Sequence, residues 1–359
     1  MSKEVYKALL EVMKKRGGGR AGMDIPEFYA LVEELFTPAE AEVNNAMPRD
    51  PITAKDMAKK MGRDEGEIEE ILEAMADKGL CMALKSGDSA IYQGQRFLPG
   101  IFEWQFIPGR KTDRDKKLAK LIHAYEEAFD AKRPTSKKTF ATTRVITVDR
   151  TIEPENAVHT YDQVQTYIDK YDSIAVGACF CRHAAELRDE DTHGMPKEVC
   201  MWFNQGAQFA IERLNARKLT KKEAREVLNT AEEAGLIHLS SNLTENIDFM
   251  CNCDRWHCGP VTGFLKQSKP ALFFNSGFEP RFDPDNCTSC ETCIDRCPPT
   301  ALTMGEDDVP EVDLDRCFGC AVCATGCPSE AITMVNKPGF AAPPRDGKAL
   351  KEAVKASMG

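Results

Sequence analysis

Apolar residues at the start of the chain recur at helical spacing. Val5, Leu9, Val12 and Met13 do so ahead of a glycine triplet at 17–19, and Phe28, Leu31, Val32, Leu35 and Phe36 repeat the pattern. Two helix starts follow, Thr53 with Asp56 and Asp64 with Glu67, the spacing at which a side-chain oxygen satisfies a free amide three residues on. A stripe of Ile68, Ile71, Leu72 and Met75 then runs toward Gly79, and CMALKSGDSAIYQG reads as a β-hairpin.

Two short helices and a hairpin over about 50–107 resemble a winged-helix module. Its second helix carries Asp64, Glu65, Glu67, Glu69, Glu70, Glu73 and Asp77 against Lys78. DNA affinity comes from neutralising phosphates, so this face is read as a docking or solvated surface and no nucleic-acid partner is expected. From Arg110 to Arg144 the charge reverses, with Lys111, Arg114, Lys116, Lys117, Lys120, Lys132, Arg133, Lys137 and Lys138. This stretch is read as a solvated basic helix and linker in preference to a patch steering an acidic redox partner.

Beyond it the elements mix. Thr160 is placed to cap a helix bearing Val164, Tyr167, Ile168 and Tyr171, which leads into the strand IAV at 174–176. Phe203, Ala207, Ala210, Ile211 and Leu214 mark another helix, and Thr220 with Glu223 begins one that stops at Gly235 before the strand-like IHL. The fold class expected is α+β and multidomain: a helical, winged-helix-like domain at 1–107, the basic helix and linker at 108–144, and a mixed α/β middle domain at 145–278. A cysteine-rich domain at 279–337 and a tail at 338–359 complete it. No run approaches the roughly 18 apolar residues of a membrane span, and the first residues lack the arrangement of an export signal. Membrane insertion is not expected, and a cytoplasmic location is. The formal charge of −10 likewise opposes non-specific binding to nucleic acid or anionic lipid.

The 15 cysteines change the picture. All but Cys81, read as a core residue, lie from position 179 onward in a long chain without an export signal, which favours thiolate metal sites over disulfides. The strongest signal is an internal repeat, CTSCETCIDRCPPTALTM from 287 and CFGCAVCATGCPSEAITM from 317. Each copy spaces its cysteines by two, two and three residues with proline after the fourth. Paired Cys-x-x-Cys also occurs in zinc ribbons, but a ribbon leaves half of these eight thiols unused.

Over about 279–337 the chain resembles the bacterial dicluster ferredoxins, so a ferredoxin-like domain is expected there. That resemblance implies two [4Fe-4S] clusters whose copies exchange a ligand: Cys287, Cys290, Cys293 and Cys327 for one, and Cys317, Cys320, Cys323 and Cys297 for the other. Gly319, Gly326 and Ala321 of the second copy stand where the first has Ser289, Arg296 and Glu291, so the first site is the more polar.

A second cysteine group remains, in VGACFCRH, at Cys200 and in FMCNCDRWHCGP. The order CxCRH then CNC is similar to multidomain iron–sulfur proteins of anaerobes. Each Cys-x-Cys is expected to contribute one thiol, which with Cys200 and Cys258 makes four. Cys181, Cys200, Cys253 and Cys258 are therefore expected to hold a third [4Fe-4S] cluster, with Cys179 and Cys251 as further candidates and buried thiols or a zinc site as the alternative. His183, His193 and His257 lie near these ligands in sequence and are read as hydrogen-bond donors or surface residues.

No dinucleotide fingerprint or phosphate loop appears. The function expected is an electron-transfer subunit of an oxidoreductase complex, passing single electrons between a partner oxidoreductase and a ferredoxin-type carrier or another subunit. No catalytic residue is assigned. Two alternatives stand beside it: a reductase using the middle-domain metal site, and an iron–sulfur redox sensor controlling a winged helix.

Overall fold

The computed structural model describes residues 2–87, 89–132, 140–153, 164–272 and 274–357. Arg133, Lys137, Lys138 and the capping residue expected at Thr160 lie outside the described residues. The chain forms two compact units, Met1–Thr135 with Gly177–Thr192 and Gln205–Lys218, and Ser136–Val176 with His193–Asn204 and Leu219–Gly359. These units cut across the segments read from composition. The helix after residue 108 and two pieces of the middle segment belong to the first unit, while the remaining middle segment shares the second unit with the cysteine repeat.

In the first unit, Thr53 and Asp64 accept hydrogen bonds from the amides of Asp56 and Glu67 and start the helices Ala54–Met61 and Glu65–Asp77. The strands Cys81–Ser86 and Ser89–Gly94 pair antiparallel, and Ile52–Thr53 adds a third strand along Ser89–Gly94. Cys81 is buried in this module with its thiol 3.6 Å from the Leu72 carbonyl. Helix Asp113–Lys132, charged as it is, buries Leu118, Ala119, Ile122, Tyr125 and Phe129. The Tyr125 ring meets Phe28, Phe97 and Phe102. It packs as a core helix, and Lys111 and Lys117 pair with Glu186 and Glu34. The apolar stripe outweighs the surface charge, because burying each large side chain is worth about 1.5–3 kcal/mol.

The second unit is built on a sheet whose strands include, in spatial order, Thr143–Val145, Ile237–Ser241, Phe249–Cys253, Cys200–Phe203 and Ile174–Gly177. Its two faces are set by strand alternation. Met201 and Met250 face each other and join a core with Val164, Tyr167, Val227 and Leu228, from the helices Val164–Lys170 and Lys221–Glu233. On the opposite face, Leu239 pairs with Cys251 and Ile237 with Cys253. These residues join a second core with Val145, Val261, Phe274, Phe318, Cys320 and Val322. That second core holds residues of both cysteine groups.

The repeat folds around two antiparallel pairs, Phe278–Phe282 with Ile332–Asn336 and Leu302–Met304 with Pro310–Val312, and two single-turn helices, Thr292–Asp295 and Val322–Thr325. Its copies share their turns as well as their cysteines. Left-handed backbone occurs at Ser289 and Gly319, at Glu291 and Ala321, and at Thr300 and Glu330. Such positions reverse the chain tightly enough for a loop to wrap a compact group.

Candidate metal centre

The eight repeat cysteines divide between two cavities, four to each. Cys287, Cys290, Cys293 and Cys327 line one of about 320 Å³, together with Phe282, Glu291 and Ile332. Cys297, Cys317, Cys320 and Cys323 line the other, of about 300 Å³, with Pro280, Leu302, Phe318 and Met334. Each cavity thus takes three cysteines from one copy and the fourth from its twin. After the third cysteine of each copy a single helical turn carries the chain away, so the fourth reaches the neighbouring cavity. Among the described residues no three Cys, His, Asp or Glu side chains converge as ligands of one metal ion. Cages lined by four thiols suit a polynuclear cluster, whose ligand sulfurs stand farther apart than those around one zinc ion.

The cages differ in their surroundings. Cys290 is exposed, and hydrogen bonds from the Thr292 hydroxyl, the Thr292 amide and the Thr288 hydroxyl lower its thiol pKa below the ordinary value. In the second cage Cys297, Cys320 and Cys323 are buried. Burial pushes Cys317 up to about 11 and raises Cys320 and Cys323. The first cage therefore meets solvent and the second lies in a low-dielectric interior, where added negative charge costs more. Backbone donors partly offset that cost, as where the Ala301 amide donates to Cys297 Sγ at 3.2 Å.

A side-chain lattice fixes the second cage. Thr147 Oγ1 and Ser276 Oγ each lie 2.8 Å from the Gly319 carbonyl oxygen, and Thr147 Oγ1 is 2.7 Å from Ser276 Oγ. Gly319 has φ +67°, and a side chain there would meet the Phe278 carbonyl. Neither Thr147 nor Ser276 carries a motif, and both lie far from Gly319 in sequence.

The other cysteines are placed as follows. Cys179 stands at the N-terminus of helix Phe180–Leu187 and Cys181 lies within that helix, both in the first unit. Cys251 and Cys253 do lie on a strand. Residues two apart on a strand share a face, so the expectation of one thiol per Cys-x-Cys is corrected here. Both thiols join the core shared with Phe318 and Cys320. Hydrogen bonds with Cys251 and Cys258, followed by burial, hold the Cys253 thiol well above its ordinary pKa. Met201 opposes Met250, and continuing that register sets Cys200 opposite Cys251. Cys251, Cys253 and Cys258 thus share one core, and Cys200 lies on the neighbouring strand opposite Cys251.

Asn252, between the two strand cysteines, points to the other face. Its side chain donates to the Val199 carbonyl and lies 2.5 Å from His238 Nδ1, anchoring the strand from behind. Within the first unit His183 places Nδ1 3.2 Å from Glu186 Oε2 and Nε2 2.8 Å from the Arg110 carbonyl, so both ring nitrogens serve packing. The DRWHC loop is held by Asp254, whose buried carboxylate accepts from the amides of Trp256 and His257 and lies 3.1 Å from His257 Nδ1. His193 stacks on Trp256 at 4.3 Å between ring centres. Arg255, in the same loop, donates to the Cys297 carbonyl at 3.3 Å. Sequence reading passed over Arg255, although a cation between two cysteines is visible there.

Residues 286–331 match the family described as the 4Fe-4S dicluster domain. No curated protein matches the chain. The domain match agrees with the two four-thiol cages and with an iron–sulfur electron-transfer role. Among the described residues no helix is long and apolar enough to cross a membrane.

Proposed function

We propose that the protein is an iron–sulfur electron-transfer subunit, passing single electrons between a partner oxidoreductase and a ferredoxin-type carrier or a further subunit in the cytoplasm. The observation that carries this reading is the division of eight cysteines into two cages with one thiol exchanged between copies. Cys287, Cys290, Cys293 and Cys327 would hold one [4Fe-4S] cluster, and Cys317, Cys320, Cys323 and Cys297 the other. Bound there, the clusters supply reversible one-electron chemistry. The chain positions them for transfer: exposed Cys290 offers an edge to an external carrier, while Phe318 and Cys320 bury the second cage against the thiols of the middle segment.

Those thiols form the proposed third [4Fe-4S] centre. Cys200, Cys251, Cys253 and Cys258 are the preferred ligand set, with Cys251 replacing Cys181 because Cys251 and Cys253 share a strand face. A path from the exposed cage through the buried one to this centre runs within a single unit. In the first unit, the winged-helix-like module with its acidic helix would serve as a protein docking surface, since six carboxylates on Glu65–Asp77 oppose phosphate binding.

Metal analysis of protein purified anaerobically tests this reading. About 12 irons per chain with little zinc supports all three centres, and about 8 supports the ferredoxin pair alone. Zinc in place of iron in the repeat would overturn the electron-transfer reading.

A further inference from the structure

Arg255 stands between the two cysteine groups. It lies in the loop joining strand Phe249–Cys253 to helix Gly259–Leu265, flanked in sequence by Cys253 and Cys258. Its Nη1 donates to the carbonyl oxygen of Cys297, the thiol that the first copy lends to the buried cage. The aim of this side chain is built in, because Asp254 is itself buried and clamps the loop through two backbone amides. We propose that Arg255 is a positioning residue that sets the reduction potential of the buried cluster and couples it to the neighbouring thiol centre. The inference rests on the proposed ligation of that cluster by Cys297, Cys317, Cys320 and Cys323.

The physical reason is charge. A cluster gains one negative charge when it accepts an electron, and this cage lies in an interior where burial already raises its thiols. A nearby cation favours the reduced state, and less intervening solvent weakens that interaction less. On Cys317, Lys337 favours the thiolate, whereas Cys297 and Glu279 disfavour it. Arg255 acts on Cys297 in the favourable direction. Its hydrogen bond ties the DRWHC loop to the cage wall and keeps the two thiol groups in register. The exposed cage, lined by Cys287, Cys290, Cys293 and Cys327, serves as an internal reference.

The test is an anaerobic redox titration of the full chain with dithionite, with both ferredoxin clusters followed by electron paramagnetic resonance. Arg255→Gln should disfavour reduction of the buried cluster about tenfold, a downward shift of about 59 mV for one electron, and leave the exposed cluster at its wild-type potential. Arg255→Lys keeps the charge without the planar fork and should shift the buried cluster less. Should Arg255→Gln assemble only the exposed cluster, the neutral but similarly long Arg255→Met decides: a downward shift of the buried cluster supports the role, and an unchanged or higher potential overturns it. Equal potentials in wild type and Arg255→Gln, with both clusters present, also overturn it. Absence of the buried cluster from iron-loaded wild type would refute its ligand assignment instead, and remove the basis of the inference.

Discussion

Gly319→Ala isolates the buried cage with a single methyl group. The added Cβ would lie 2.2 Å from the Phe278 carbonyl oxygen and 2.4 Å from Ser276 Oγ, and the backbone there has φ +67°. Left-handed backbone alone costs an alanine about 1–2 kcal/mol. It is tolerable in this motif, since Ser289 adopts φ 54° at the matching place in the first copy. The difference is packing, because Phe278 is paired along strand Ile332–Asn336 and cannot yield cheaply. Relieving the clash would break the bonds from Thr147 and Ser276 to the Gly319 carbonyl and from the Ser276 amide to the Phe318 carbonyl. At a net value of about 1 kcal/mol each, these bring the total to roughly 4–5 kcal/mol. That is a large share of the roughly 5–15 kcal/mol by which domains are stable, and it falls on one cage. The assay is iron content with electron paramagnetic resonance of both clusters, alongside thermal melting. The variant should lose the buried cluster, about 4 irons, and keep the exposed one. Ser289→Gly, which removes only a 2.6 Å bond to the Asp308 carbonyl, should keep both. Full retention of both clusters at the wild-type melting temperature would refute the packing argument, as would selective loss of the exposed cluster.

Further outcomes follow from the same geometry. Cys290→Ser should impair the exposed cluster and Cys320→Ser the buried one, because an alcohol oxygen poorly replaces a thiolate; two signals at full intensity in either variant would contradict the ligand sets. Gly326→Ala places a methyl 2.1 Å from Arg296 Nε, and displacing a guanidinium that donates to the carbonyls of Glu232, Glu233 and Val322 should cost about 2–3 kcal/mol. Gly326 has φ −102°, so the cost should nearly vanish in an Arg296→Ala background, and a denaturation cycle finding the same penalty there would refute the assigned clash. The acidic helix Glu65–Asp77 predicts negligible DNA affinity at physiological salt; submicromolar, sequence-dependent binding in an anisotropy titration would restore the regulator reading.

What sequence alone determined was local. Caps at Thr53, Asp64 and Thr220 and the hairpin of Cys81–Gly94 depend on residues a few positions apart, where side-chain chemistry and backbone sterics decide the outcome. The cysteine frame belongs here too, because its spacing repeats without interruption and its exchange of the fourth thiol follows the family pattern. Tertiary structure decided what depends on distant partners. It drew the basic helix Asp113–Lys132 into a core through Tyr125, and set Cys251 and Cys253 beside Leu239 and Ile237 of a neighbouring strand. It also brought Thr147 onto the Gly319 carbonyl across 172 positions and Arg255 onto Cys297 across 42. No periodicity encodes such meetings, because the burial and pairing that create them arise only when the whole chain closes on itself.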